Sequence, residues 1–540
     1  MEGGLSAALG NLRMVRRYGV PEWMIAECTR ARERGDWRAA CEAARVTVCF
    51  DDADPVADML AGLAPDLLRW HLPRSFSGTA ALAARMTYVL APDGPVTADT
   101  VVLVVRSPAW VTGTQRITLA AERVGDLAEG HVFPLPRYLW DARRVGELRA
   151  ALRGFAAGPS GVASAEDPSW FGGPGADGEP SRAARSVYPA GPVEAWSAAG
   201  WLIDESAAGY WWPSQLDLLR LADAQFAVAE LRRVTAQFGG TSYGLRGAGR
   251  RWRRPSDVCP RLEVAGGRHR LRLGAAAPCQ PVSIKAELCL HPALLRPPLD
   301  VDLLRQGRIG VMDLHPLVRS ALFPSTDRVQ PRPDPEVSIV PPGLDTEQRF
   351  RVRCGGQWHW IGVRGGRLAL IHHTAAERRR ERALRAFGGA LGGCFRAEIA
   401  WHDSDGAVPR RLRAYRDDLW RRMEHGGSRV VLALLDAGMD PRMRDGQGRT
   451  LLHRIHQFEY AELLPRLLAE GLDVNDRSRR GYTPMCEALV HSAPTGLLMA
   501  LNEAGAHPPL SLTDPRTWPE PACGPYAPTP DDGPVGSGMA

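Results

Sequence analysis

The sequence is almost without lysine. Lys285 stands alone, and the other 66 of the 67 basic residues in this 540-residue chain are arginine. Paired cysteines are missing as well: ten lie scattered at 28, 41, 49, 259, 279, 289, 354, 394, 486 and 523, with no Cys-x-x-Cys among them. That spacing excludes a recognisable disulfide framework or zinc module. Long apolar runs are absent, clean ones such as Val101–Val105 falling far below the roughly 18 residues that cross a bilayer. The N-terminus carries no apolar stretch of signal-peptide type. No P-loop, dinucleotide fingerprint, His-Glu-x-x-His or paired-carboxylate pattern occurs. Together these absences lead to the expectation of a cytoplasmic protein with reduced thiols and no membrane segment. They assign no catalytic residue, no cofactor and no metal.

What is present fits a multidomain chain. At 58.9 kDa it exceeds one compact core, so two to four domains are expected. The formal charge is +6, a mild excess that suits an acidic partner. Arginine in place of lysine, with abundant Ala and Gly, is the pattern of high-GC bacterial coding. Gly and Pro together make 100 residues, about 19% against a usual ~12%, so part of the chain is linker.

Local patterns divide the chain. Residues 20–72 read as short helices, with a Gly35-Asp36 turn and a helix from Pro65 that stops before Pro73. Val101–Val105 and Arg116–Ala120 are strand candidates, and Tyr138–Leu152 returns to helical spacing. Residues 154–190, rich in Gly, Ser, Pro and Ala, read as a disordered linker. Ser214 and Asp217 then open a helical stripe through Leu216, Leu219, Phe226, Leu231 and Val234. Prolines from Pro331 to Pro342 mark a further linker. The expected organisation is therefore a helical or mixed domain at 1–153, a linker at 154–190 and a mixed α+β region at 191–324. After a Pro-rich linker at 325–345 come a β-meander plus helix at 346–404, a repeat segment at 405–510 and a disordered tail at 511–540.

The clearest signal is a period of 33. Gly438 and Gly471 stand 33 apart, as do Gly448 and Gly481, and Thr450 and Thr483, with Gly505 following 34 after Gly471. Each unit reads as a turn, a short helix, a Leu-rich helix and a glycine suited to a left-handed terminus. Asp445-Gly-Gln-Gly-Arg-Thr-Leu-Leu-His453 and Gly481-Tyr-Thr-Pro-Met-Cys-Glu-Ala488 resemble the D-x-x-G-x-T-P-L-H-x-A pattern of ankyrin repeats. Gly471-Leu-Asp-Val-Asn475 resembles that family's G-A-D-V-N. The departures are Leu451 for Pro, Cys486 for His, Ser478 for Asp and His507 for Asp, and Pro465 sits early in a second helix. The resemblance covers residues 411–510, with Arg411–Arg444 as an N-terminal cap. It implies a C-terminal α-solenoid that binds proteins, with His453 bracing its turn rather than ligating metal. On that view the turn tips carry Arg442, Arg444, Gln447, Arg449, Arg477, Arg479, Arg480 and Tyr482, a basic set suited to an acidic protein surface.

Upstream, residues 349–354, 357–364 and 367–372 read as three strands joined by Gly355-Gly356 and Gly365-Gly366. Two-residue loops fix the register. One face then holds Phe350, Val352, Cys354, His359, Ile361, Val363, Leu368, Leu370 and His372, setting His359 opposite His372 with Cys354 a diagonal step away. Three soft donors suggest metal, but the fourth is missing, so buried histidines satisfied by hydrogen bonds are the expectation. The other face pairs Arg353 with Trp358 and Arg351 with Trp360, as stacking on nucleic acid or an internal cation–π face would require. Gly240–Gly244 matches G-x-S-x-G without the strand and helix a nucleophile elbow needs, and the Arg-rich 246–254 segment reads as a basic loop. Thr374 and Glu377 form a capping box.

The sequence therefore predicts an α+β multidomain protein: a mainly helical N-terminal region, a mixed α/β middle with a small antiparallel meander, and an ankyrin-like stack. The expected function is non-enzymatic protein–protein interaction as an adaptor or scaffold. The alternatives are nucleic-acid binding through the Arg/Trp face and the 246–254 arm, or an enzyme with its active site in 1–330 regulated by the repeats.

Overall fold

The computed structural model describes residues 2–75, 79–128, 130–156, 191–205, 212–247, 259–273, 286–324, 337–388, 391–402 and 408–507. The expected linker at 154–190 (beyond Ala156), the tail at 511–540 and most of the 246–254 arm lie outside them. The class is α+β, with 17 α-helices and two sheets among the described residues. Two compact units result, one of residues 1–342 with 421–433, the other of residues 343–420 with 434–540.

The first unit is built on ten strands: β1 (Val46–Val48), β2 (Thr87–Leu90), β3 (Val101–Arg106), β4 (Ile117–Arg123), β5 (His131–Pro134), β6 (Leu202–Asp204), β7 (Ser242–Leu245), β8 (Arg261–Ala265), β9 (Arg268–Arg272) and β10 (Glu287–Leu290). They form one sheet in the order β1-β4-β3-β2-β5-β10-β7-β8-β9-β6. From its edge inward, the first half pairs β1 parallel to β4, β4 antiparallel to β3, β3 antiparallel to β2, and β2 parallel to β5. The second half repeats this with β6, β9, β8, β7 and β10. Helices recur in step. Trp37–Ala43 precedes β1 and Pro192–Ala198 precedes β6; two helices separate β1 from β2, and two separate β6 from β7; a 3-10 turn follows both β5 and β10. One α+β unit thus occurs twice, and the halves join where β5 runs parallel to β10, pairing His131 with Glu287.

Five strands run among the expected helices of region 1–153, and one compact unit takes in both 1–153 and 191–324. A single core draws Val89, Val102 and Val104 from one half and Trp196, Leu231, Tyr243, Leu262 and Leu288 from the other. The strand candidates at 101–105 and 116–120 coincide with β3 and β4. The helical stripe expected from Leu216 to Val234 is broken into Trp212–Leu221 and Ala224–Phe238, because the Asp223 carboxylate accepts from Gln225 N and Phe226 N and starts a new helix. Ser242 opens β7 and is tied to Glu263 and Arg261 across the ladder, so the G-x-S-x-G match is no nucleophile elbow.

The second unit opens with a three-stranded antiparallel sheet, β11 (Gln348–Cys354), β12 (Gln357–Arg364) and β13 (Arg367–Leu370). Its register sets Val352 against His359, Arg353 against Trp358, Arg351 against Trp360, and Ile361 against Leu370. The helices Ala375–Ala386 and Gly393–His402 follow. Trp401, fully buried, donates its indole N–H to Gly366 O at 2.8 Å and locks the second of these onto the sheet. Beyond residue 434 come the helices Tyr460–Ala469, Pro484–Val490 and Thr495–Glu503. No described helix is long and apolar enough to cross a membrane.

Candidate functional site

The 33-residue period of the sequence reappears as hydrogen-bond geometry. Asp445 N donates to Arg449 O and Gly448 N to Asp445 O; 33 residues on, Ser478 N donates to Tyr482 O and Gly481 N to Ser478 O, all at 2.8–3.1 Å. Gly448 and Gly481 adopt φ of 76° and 77°, a left-handed conformation that a side chain would oppose. Gly438, Gly471 and Gly505 are likewise left-handed, at 88°, 77° and 89°. The two turns are also tied to each other, since Arg479 N donates to Gln447 O at 3.0 Å.

His453 makes the second tie. Thr450 N donates to its Nδ1 at 3.2 Å, with Thr450 Oγ1 at 2.9 Å, so Nδ1 is the acceptor and Nε2 carries the proton. That N–H donates to Tyr482 O in the next turn at 3.0 Å. Burial disfavours a charged ring and lowers the His453 pKa. At the matching position of the next unit, the Cys486 thiol accepts from the Thr483 hydroxyl at 3.3 Å, a bond within its own turn.

The predicted tip residues divide into two groups. Arg444 and Arg449 are half-buried and engaged: Arg444 pairs with Asp476 at 2.6 Å and donates to Gly448 O at 2.8 Å, and Arg449 pairs with Asp445 at 2.9 Å. Arg442, Gln447, Arg477, Arg479, Arg480 and Tyr482 are exposed. Asp445 itself is buried and accepts from Gln447 N, Arg449 N, Arg449 Nε and Arg454 Nε. Burial opposes its charge, but Arg454 and Arg449 outweigh that and hold its carboxyl below the usual range. Asp445 and Asp476 are spent on internal partners together with Arg449 and Arg444, which leaves Arg442, Arg477, Arg479 and Arg480 as the exposed arginines of the two turns.

On the three-stranded sheet, the Arg/Trp face is exposed as expected, with Trp358 at 57% and Trp360 at 37%. Arg351 lies over both rings, 5.2 and 5.6 Å from their centroids. In the expected basic arm, Arg246 proves to be buried, 3.8 Å from Glu287.

The opposite face differs from its predicted form at one point. β13 ends at Leu370, so His372 does not continue the ladder and is exposed. The chain turns and brings His373 in its place, with its Nε2 3.0 Å from His359 Nδ1. Cys394, in the first turn of Gly393–His402, completes a group with Cys354, His359 and His373 whose donor atoms all lie within 4.8 Å of one another. Both thiols are free. Burial, with Cys354 alongside, pushes the Cys394 thiol up to about 12. The sequence held two signals for these missed residues: the capping box beside His373, and the Gly392-Gly393 pair before Cys394.

No family model matches the chain. Over 74 residues it is 35% identical to an ankyrin repeat-containing protein of Schizosaccharomyces pombe. The match takes in 13% of this chain, which spans about a third of that relative's length (36%).

Proposed function

We propose that residues 405–510 stack as ankyrin-like repeats and bind a protein partner, and that the chain serves as a non-enzymatic adaptor or scaffold. The observation that carries this reading is the recurrence of one turn geometry at the 33-residue offset, with the turns cross-linked by Arg479 N to Gln447 O. The partial identity to an ankyrin repeat-containing protein supports it. One such unit cannot bury its own apolar face, whereas a row of them presents its turn tips as one extended surface. Arg442, Arg477, Arg479 and Arg480 with Tyr482 suit an acidic partner, since guanidinium forks pair carboxylates and an exposed tyrosine supplies an anchor.

The test is affinity capture from a native extract. The full chain, a form ending at Ala407 and the triple variant Arg477→Glu, Arg479→Glu, Arg480→Glu are compared. Partners should be retained by the full chain and lost from both others. Capture that the triple variant leaves intact would refute the tip assignment. The nucleic-acid reading rests on exposed Trp358 and Trp360, whose rings already hold the Arg351 guanidinium at 5.2 and 5.6 Å, so bases would have to share the rings with it or displace it. An enzyme in 1–330 would need converging titratable groups open to a substrate. One such set, Asp66 with Arg32 at 2.6 Å and His315 at 3.3 Å, is sealed, with Asp66 and His315 at 0% exposure.

A further inference from the structure

We propose that Cys354, His359, His373 and Cys394 form a zinc site of two thiolates and two imidazoles, which ties the β11–β13 sheet to the helix Gly393–His402. Their four donor atoms lie within 4.8 Å of one another. Tetrahedral zinc, with bonds of about 2.0–2.3 Å, sets donor–donor edges of about 3.3–3.8 Å, so closure needs movements on the order of 1 Å. The His359–His373 edge, at 3.0 Å, is already short enough. Two thiolates neutralise the dication, and sulfur donors favour zinc over magnesium or calcium. Both cysteines are buried while both histidines are half-buried, which keeps water from the sulfurs and leaves an entry path.

Two details fit a ligand rather than ordinary core packing. The first is steric. A Cβ on Gly393 would stand 1.9 Å from Arg353 O, and one on Gly392 would stand 2.8 Å from Cys354 Sγ. Only this glycine pair lets the helix come close enough for Cys394 to reach Cys354. The second is the orientation of His373. Its Nε2 faces the donor group while its Nδ1 lies 3.7 Å from the Glu377 carboxylate. Glu377 is held there by Thr374 N at 2.7 Å and the Thr374 hydroxyl at 3.1 Å. On closing to hydrogen-bond distance, a movement within the roughly 1 Å that the site needs, that carboxylate would fix the tautomer of a ligating histidine and raise its basicity. The other donor group among the described residues, the three of His131, Glu287 and Cys289, lacks this character, because the buried Arg246 guanidinium lies 3.8 Å from Glu287 and opposes a cation. The ligand order, Cys-x4-His-x13-His-x20-Cys, is assembled by the sheet and the helix, which is why no local motif announces it.

The test uses the full chain purified under reducing conditions. Metal analysis should find one zinc per chain. Stripped of zinc and given cobalt, it should show the visible bands of a tetrahedral site and a thiolate-to-cobalt charge-transfer band. Cys354→Ser and Cys394→Ser should each lose stoichiometric zinc, and Cys486→Ser should keep it. Glu377→Gln should retain one-to-one binding with zinc affinity lowered ten- to hundred-fold against a chromophoric chelator. If the serine variants do not fold, the unsubstituted protein decides alone: with its thiols counted as reduced, failure to hold zinc and to develop the cobalt–thiolate band overturns the site. Zinc content unchanged in both serine variants overturns it equally.

Discussion

Replacing His453 by alanine tests whether adjacent turns are coupled as the hydrogen bonds indicate. The ring is fully buried and bridges Thr450 to Tyr482, which lies 29 residues beyond His453. Truncation removes the bond to Thr450 N and the bond to Tyr482 O, each contributing about 1 kcal/mol, and leaves Thr450 N–H without its acceptor. Tyr482 O keeps Ser478 N as a donor, so its desolvation costs little. With the emptied space of the imidazole added, the loss comes to about 3 kcal/mol, or roughly a hundredfold in local opening. Hydrogen exchange followed by mass spectrometry on the full chain reads this directly. Protection should fall about a hundredfold in both the 445–455 and the 478–488 peptides, while β2–β5 stay unchanged. Loss confined to 445–455 would show that the bridge carries no coupling, and wild-type exchange in both would refute the reasoning altogether. Glutamine at this position should recover part of the loss, since its amide can donate to one carbonyl.

Three further outcomes are expected. Burial lowers the pKa of His291 to about 4, and lowers that of His425 to about 3 with help from Arg69, Arg74, Arg45 and Arg421. Both lie below the unfolded value near 6.5, so their contribution is complete above pH 6.5 and is lost as pH falls toward those values; about 3 kcal/mol should go between pH 7.5 and 5.5, read as a drop in the urea midpoint of the first unit. A midpoint that holds or rises over that window would contradict it. Asp445→Ala should cost about 2–4 kcal/mol in the second unit, because it strips Arg449 and Arg454 of their buried carboxylate, and the wild-type protein should itself lose stability as pH drops below about 4; equal thermal stability of variant and wild type at neutral pH would count against this. A labelled single-stranded oligonucleotide should not bind at low salt, and binding that weakens steeply with added salt and with Trp358→Ala would instead revive the nucleic-acid reading.

Legibility varied with how local the cause was. The three-stranded sheet was readable to the residue through Leu370, because two-residue glycine loops leave one register. The 33-residue turns were readable because each is closed by its own glycine and threonine. His372 was misplaced for a physical reason: alternation predicts a face only while a ladder continues, and β13 loses its partner after pairing Ile361 with Leu370. The ten-stranded sheet was largely illegible. Most of its strands are short and several are buried on both faces, like β3, so their sequences do not alternate. Its parallel pairings join segments as distant as His131 and Glu287.

The sequence by itself determined the turn chemistry of the C-terminal repeats, the register of the small sheet, the capping of the 375–386 helix and the lack of any long apolar segment. Each depends on residues within a few positions of one another, where φ, hydrogen-bond reach and hydrophobic period are set by the chain itself. Only the tertiary structure decided that two halves of the first unit repeat one topology, that Arg444 and Arg449 face inward, and that His373 and Cys394 join Cys354 and His359. Those outcomes depend on which distant backbones approach each other, and that is settled by packing and by where a glycine allows contact, not by local pattern.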